Sequence, residues 1–361
     1  MTEPLPPITM KRSRLKKLGS DPEAAAKAVH LVYVNCSDDG ISRIKAGEKF
    51  TYKYKDKIVK NKTDLLRIHV MVLPPAWEDV WICSLPHGHL QATGKDAMKR
   101  KQYRYHPLWN QLRSKTKFYR MLELGNVLPT IRRQLQKDLA LPGLPLNKVL
   151  ALVISLMEKT GIRIGNEFYE NLYGSFGLST LKDRHVNIKA GNIKFTFRGK
   201  KGVEHQVSLQ SKKLSKIVIQ CRDIPGKELF QYIDEEGKRQ FIESGMINDY
   251  IKTIAAGDFT TKDFRTWCGS VAALNAFKET GSFENENEAK KKIVDVLDKV
   301  SMQLGNSRTV CKKYYVHPSL PEMYENGKLE KLLEKMEACK KNDSSDLEPE
   351  EKIFMNILES L

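Results

Sequence analysis

The sequence is short of acidic charge, of paired cysteines and of long apolar runs, and each shortage excludes something. Against 61 Lys+Arg stand 44 Asp+Glu, a formal net charge of +17. Such an excess favours a polyanionic partner, either nucleic acid or an anionic membrane surface. No apolar run approaches the length of a membrane span, so no membrane partner is expected. Cys36, Cys83, Cys221, Cys268, Cys311 and Cys339 are scattered, with no Cys-x-x-Cys and no histidine pair at zinc spacing. That pattern fits reduced thiols and argues for neither a disulfide framework nor a metal site. There is also no Walker-type phosphate loop, no internal repeat and no Asp/Glu cluster suited to two metal ions. The basic, proline-bearing start lacks the apolar stretch of a secretory signal, and residues 1–25 are expected to form a mobile arm.

What is present suits two domains, since 361 residues can bury two cores. From Val29 to Val80 the chain reads as short strands. Val32, Phe50, Tyr52, Tyr54, Ile58, Ile68, Val70 and Val72 recur in alternating runs, broken by Asp38-Asp39-Gly40 and Lys45-Ala46-Gly47. Leu73-Pro74-Pro75-Ala76-Trp77 makes a rigid corner. The small, polar run Gly88 to Gly94 could admit a ligand to its backbone, which makes Gln91 and Thr93 candidate contacts. Between Lys95 and Arg120 nine Lys/Arg face one acidic residue, Asp96, with Tyr103, Tyr105, Trp109, Phe118 and Tyr119 interleaved. Lys99, Arg100 and Lys101 can hold phosphates, while Gln102, Tyr103 and Tyr105 can reach base edges. The competing reading is a solvated basic face with its aromatics buried beneath.

From Leu122 onward helical periodicity dominates. Leu146, Val149, Leu150, Val153, Leu156 and Met157 share one face, ended by Thr160-Gly161. Arg163 follows, flanked by Ile162 and Ile164, either paired in the interior or presented to an anion. Ile193, Phe195 and Phe197 alternate with polar residues, and Val203, Val207 and Leu209 share one parity of the return strand. Gly199-Lys200-Lys201-Gly202 joins the two strands as a hairpin turn. Thr260 to Asp263 offer caps for a helix with Arg265 in its first turn, where backbone N–H groups also favour an anion. Gly305 ends another helix, Ser307 can cap the next and Pro318 stops it. That short helix carries Arg308, Lys312 and Lys313 and then Tyr314-Tyr315. Two more helical patterns, Leu329 to Cys339 and Glu348 to Leu361, flank the polar linker Lys340 to Asp346.

Five short motifs, in order along the chain, resemble the type IB DNA topoisomerases, in particular their compact poxviral and bacterial branch. They are Lys101-Gln102-Tyr103-Arg104-Tyr105, Arg163-Ile164-Gly165, Gly199-Lys200, Lys262-Asp263-Phe264-Arg265-Thr266, and Gly305-Asn306 nine residues before Tyr315. The resemblance implies Tyr315 as the nucleophile, Arg163 and Arg265 as clamps on the phosphate, and Lys200, not Lys201, as general acid. Asn306 stands where the family often has His, and it can donate a hydrogen bond but not exchange a proton near neutrality. Lys201 and Arg308 join the expected DNA contacts.

The implied fold is α+β. A small β-rich N-terminal DNA-binding domain, 1–110, would pass through a basic link, 111–116, to a mainly helical catalytic domain, 117–361, containing a β-hairpin. This is the tyrosine recombinase/topoisomerase IB catalytic fold, closing as a C-shaped clamp. The implied activity is relaxation of supercoiled double-stranded DNA through a 3′-phosphotyrosyl intermediate, by a monomer, with no cofactor, ATP or metal. It would work in the cytoplasm on a bacterial nucleoid, or in the nucleus if the source is eukaryotic. Two alternatives remain open at this point. A tyrosine site-specific recombinase usually has His where Lys262 stands and a helical front domain. A non-enzymatic basic DNA-binding protein could use a helix-turn-helix-like unit such as Ile293 to Tyr315.

Overall fold

Alternation in the front half becomes an antiparallel sheet of β1 (Gly40–Ala46), β2 (Lys49–Tyr54), β3 (Lys57–Ile58), β4 (Glu78–Cys83), β5 (Leu90–Lys95) and β6 (Lys101–Tyr105), in the order β3-β2-β1-β4-β5-β6. The computed structural model describes residues 10, 14–15, 18–19, 21–47, 49–97, 99–334 and 346–361. The chain divides into two compact units, Met1–Arg120 and Met121–Leu361. In the first, Ile41, Val80, Ile82 and Ala92 close on Ile68 to form the sheet's core. The Leu73–Trp77 corner is held by Arg43, which donates to the carbonyls of Leu73, Pro74 and Trp77 at 3.3, 2.9 and 2.7 Å.

Three expectations are corrected in this region. Ile68 and Val70 are not strand residues: they lie in the helix Lys62–Val70, whose cap Asn61 accepts from the Thr63 N–H at 2.8 Å. The helix sinks Ile68 and leaves Val70 and Val72 exposed, so the apolar spacing mimicked a strand while serving one helical contact. The described part of residues 1–25 is packed, not a free arm. Asp21 caps the helix Pro22–Ala28, and Leu18, Ala25 and Ala26 pack with Trp109 and Leu112. The remainder, 1–9, 11–13, 16–17 and 20, lies outside the described residues. Finally, residues 111–116 are not a link between elements, because one helix runs unbroken from Pro107 to Asp138. Lys and Arg are good helix formers, so the charge run marks no break.

The second unit is mainly helical around the long-buried helix Leu146–Thr160. Beside it lie the sheet β7 (Val186–Lys189), β8 (Asn192–Arg198) and β9 (Glu204–Gln210), and the pair β10 (Gln231–Ile233) and β11 (Arg239–Phe241). Strand β8 sinks Ile193, Phe195 and Phe197 and turns Lys194, Thr196 and Arg198 to solvent, as a half-buried strand must. The β8–β9 connection is a tight turn over Lys200–Gly202, with Lys201 at φ 63° and Gly202 at φ 76°. The helices Thr261–Thr280, Glu286–Leu304 and Arg308–Tyr314 follow, and the C-terminal helix Pro349–Ser360 packs on the first of them. Of the tail pattern Leu329 to Cys339 the helix Glu330–Leu333 is seen, while 335–345 lie outside the described residues. The chain is therefore α+β, β-rich in front and mainly helical behind. Among the described residues no helix is long and apolar enough to cross a membrane.

Candidate active site

The site is assembled at helix ends. Gly161 closes Leu146–Thr160 in a left-handed conformation, φ 68°, and the chain then runs extended. Ile162 and Ile164 are buried, and Arg163 between them is directed to the carbonyl end of Glu286–Leu304. It donates to Leu304 O at 3.5 Å and Gly305 O at 3.2 Å, and also to Asn306 Oδ1. Arg265, 4% exposed in the first turn of Thr261–Thr280, donates to Gly161 O and to Leu304 O, the latter at 3.0 Å. The last carbonyls of a helix lack helical partners and carry its negative dipole end, so they suit two cations.

Tyr315 joins this group and Tyr314 does not. The Arg265 guanidinium lies 5.2 Å from the centre of the Tyr315 ring, and Arg163 hydrogen-bonds the Tyr315 side chain. Tyr314 is 41% exposed, with Lys313 5.3 Å over its ring. The backbone of Tyr315 is seated on Thr261–Thr280. Ser270 Oγ donates to its carbonyl at 3.2 Å, and a Cβ on Gly269 would stand 2.7 Å from that same oxygen. The helix carrying Arg265 thus also fixes the tyrosine.

Electrostatically the site is short of negative charge. Burial, and then the neighbouring Arg265, push the Arg163 pKa down to about 10, and no carboxylate is among the groups acting on it. Arg163 is still charged near neutrality. Two buried donors, Arg265 Nε and Asn306 Nδ2, have no acceptor within the protein. The Cys311 sulfur beside Asn306 is a weak acceptor that does not satisfy the amide, and burial pushes that thiol's pKa up to about 11.

Lys200 is exposed on the hairpin turn and connects with this group through His205, a residue the sequence reading passed over. The signal was available: His205 has the parity of Val203, Val207 and Leu209, so a histidine stood on the apolar side of a strand. Ser270 and Gly269 gave no comparable sign.

The expected DNA contacts divide. Gln91 and Thr93 are corrected: both are buried, and Gln91 is spent inside the fold. Its amide donates to Pro86 O and Gly88 O at 3.0 and 2.7 Å, and its carbonyl accepts from Arg67 at 3.1 Å. Trp109 and Phe118 are buried as well, whereas Tyr103 and Tyr105 are 47% and 38% exposed, stacked 5.9 Å apart. Lys99 pairs with Glu78, Arg100 and Gln102 with Asp96, and Arg308 with Asp298. Exposed pairs of this kind are weak enough to exchange for phosphates. Lys101 lies 2.9 Å from the Cys36 sulfur, and Lys201 is exposed at the turn.

The family described as eukaryotic DNA topoisomerase I, catalytic core, matches residues 106–343, and bacterial DNA topoisomerase IB, N-terminal domain, matches 49–96. DNA topoisomerase 1B of Acanthamoeba polyphaga mimivirus is 32% identical over 297 residues, covering 80% of this chain and 88% of the viral one. DNA topoisomerase 1B of vaccinia virus (strain Copenhagen) is 24% identical over 258 residues, 70% of this chain and 76% of its own. DNA topoisomerase 1 of Daucus carota is 29% identical over 125 residues, 34% of this chain and 15% of the plant protein. With the catalytic-core match spanning most of the second unit and the mimiviral likeness spanning most of both chains, the chain belongs to the type IB DNA topoisomerase family.

Proposed function

We propose that this protein relaxes supercoiled duplex DNA by cutting and resealing one strand through Tyr315. The observation that carries the reading is the pair of guanidiniums, Arg265 buried and Arg163 half-buried, meeting at Leu304 O beside the tyrosine, with Arg265 Nε and Asn306 Nδ2 lacking acceptors. Buried donors and like charges without a counter-anion call for an anionic oxygen group, and a phosphodiester supplies it.

The tyrosine oxygen attacks phosphorus as its proton passes to water, and the bond from phosphorus to the 5′ oxygen breaks. Charge grows on the non-bridging oxygens, where planar, fixed guanidiniums stabilise it most. Asn306 adds a neutral donor. The departing 5′ oxygen takes its proton from Lys200, a lysine carried on a hairpin tip that can reach the site. The product is a 3′-phosphotyrosyl bond of comparable energy. The freed 5′ end turns about the intact strand, and attack by the 5′ hydroxyl reverses every step. Superhelical strain drives the cycle, so no ATP is required. We assign residues 1–110 to DNA binding, with Lys101, Tyr103 and Tyr105 in contact, and 117–361 to catalysis. We take the working form to be a monomer, in the compartment that holds the genome.

The test is relaxation of a supercoiled plasmid in EDTA without ATP, comparing the native chain with Tyr315→Phe. Relaxation by the native chain alone, with protein trapped on the 3′ end of nicked DNA, is expected. Relaxation by both proteins would remove Tyr315 from the role, and binding by both without relaxation would leave a DNA-binding protein.

A further inference from the structure

We propose that His205 is a positioning residue that holds the Lys200 hairpin against the loop carrying Asn306, and so sets where the leaving-group proton is delivered. The proposal rests on the roles given above to Lys200 and Tyr315. His205 is 5% exposed on β9, opposite Phe197 on β8, and the two rings are parallel with centroids 4.9 Å apart. Its edges meet two glycines. A Cβ on Gly199 would stand 2.6 and 2.7 Å from ring atoms, and a Cβ on Gly305 would overlap the ring. Gly199 directly precedes Lys200, and Gly305 directly precedes Asn306. One imidazole is therefore wedged between the backbone that carries the general acid and the backbone that carries the phosphate donor. Arg163, Arg265, Asn306 and Tyr315 are tied together around Leu304, whereas Lys200 sits on a different element whose distance from them must be set separately.

The chemistry of the ring suits that place. Burial, then Arg163 and Arg265, push its pKa down to about 4, so it remains neutral beside two cations where a lysine or arginine would be repelled. Neither glycine admits a side chain there without moving the ring, so the spacing is fixed from both sides.

The experiment uses the full chain as native, Lys200→Ala, His205→Ala and His205→Gln, with single-turnover cleavage at saturating DNA. The duplex carries either the ordinary bond or sulfur in place of the bridging 5′ oxygen, at a cleavage site mapped with the native enzyme. A thiolate departs without being protonated, so sulfur DNA bypasses the general acid. Lys200→Ala should be slow on oxygen DNA and close to native on sulfur DNA. His205→Ala should behave the same way, losing about 10²-fold on oxygen DNA, as expected for a displaced catalytic group, with DNA affinity unchanged. An equal loss on both duplexes, or none, overturns the proposal while leaving Lys200 in place. If Lys200→Ala itself shows no oxygen-specific loss, the general-acid reading falls and the proposal with it. Should His205→Ala melt below the assay temperature, His205→Gln, nearly equal in volume but lacking the ring, carries the same comparison.

Discussion

Arg163 and Arg265 donate to one carbonyl oxygen, that of Leu304, at 3.5 and 3.0 Å. The arrangement collects two cations at a helix end, with no carboxylate among the groups acting on Arg163, so the fold around the site holds their mutual repulsion. A bound anion relieves that repulsion. Sulfate or phosphate should therefore raise the melting temperature of the native chain more than sodium chloride does at equal ionic strength, through binding to the folded state. Arg163→Gln should lose that difference together with cleavage activity. Because its charge is disfavoured where it stands, this substitution should not lower stability in chloride. Equal stabilisation of both proteins by sulfate would argue against an anion seat at this arginine.

The character of the donor at position 306 is open to a sharper substitution. Asn306→Ala removes a neutral donor, whereas Asn306→Asp places a carboxylate against Arg163, which already bonds the Asn306 side-chain oxygen. The aspartate would occupy the guanidinium and repel the phosphate. Cleavage should fall by about 10²-fold in the alanine variant, as for one lost transition-state donor, and further in the aspartate variant. An aspartate variant faster than the alanine one would show that the amide does not face the substrate.

Acid should destabilise this protein through two histidines. Burial, with Arg163 and Arg265, holds His205 near a pKa of about 4, and burial alone does the same to His317, both from an ordinary 6.5. A depressed folded pKa means that the unfolded chain binds the proton first. Stability contributed by the neutral rings is whole above pH 6.5, falls as pH drops through that value, and stops falling below about pH 4. The loss could reach about 3 kcal/mol for each residue. Urea unfolding at about pH 7, 5.5 and 4.5 measures it, and His317→Asn should remove part of the slope. An unchanged slope in that variant would show that His317 is not buried neutral.

The C-terminal helix reaches the catalytic helix through a buried ion pair. Arg132 bonds Glu158 at 2.7 Å and Glu351 at 2.8 and 2.9 Å, and the Trp267 indole donates to Glu351 at 2.8 Å, two residues beyond Arg265. Glu351→Ala leaves Arg132 with Glu158 as its one carboxylate beside the Asp346 carbonyl, and the indole with no partner. It should cost about 3 kcal/mol, as for breaking a buried pair, and slow cleavage without changing DNA affinity. Stability lost with cleavage untouched would separate this helix from the active site.

The site was legible in the sequence because its residues stand beside strong local signals. Arg163 follows a Thr-Gly helix end, Arg265 follows a Thr–Asp capping box, and Asn306 follows a glycine in the left-handed region, φ 58°. What depended on distant partners was not legible. Gln91 reads as an exposed amide until Arg67, on a helix taken for a strand, donates to its side-chain oxygen. Leu18 reads as part of a loose arm until Trp109 supplies a surface to bury it. His205 reads as a gap in an apolar phase, and only Gly199 and Gly305, meeting its ring from two separate elements, give it meaning.

Those glycines supply the last prediction. Gly199 has an extended backbone, φ −95°, that an alanine adopts without strain, so the objection to Gly199→Ala is steric and comes from His205. In the native chain this substitution should push the ring aside, move Lys200 and slow cleavage. In a His205→Ala background the methyl group enters space the ring has left, so adding Gly199→Ala should slow cleavage no further. The two single losses would then fail to add, with an interaction of about 0.5–3 kcal/mol, the range for residues in contact. Full additivity would mean that the glycine and the histidine act on the reaction independently, and the hairpin lysine would need some other means of being placed.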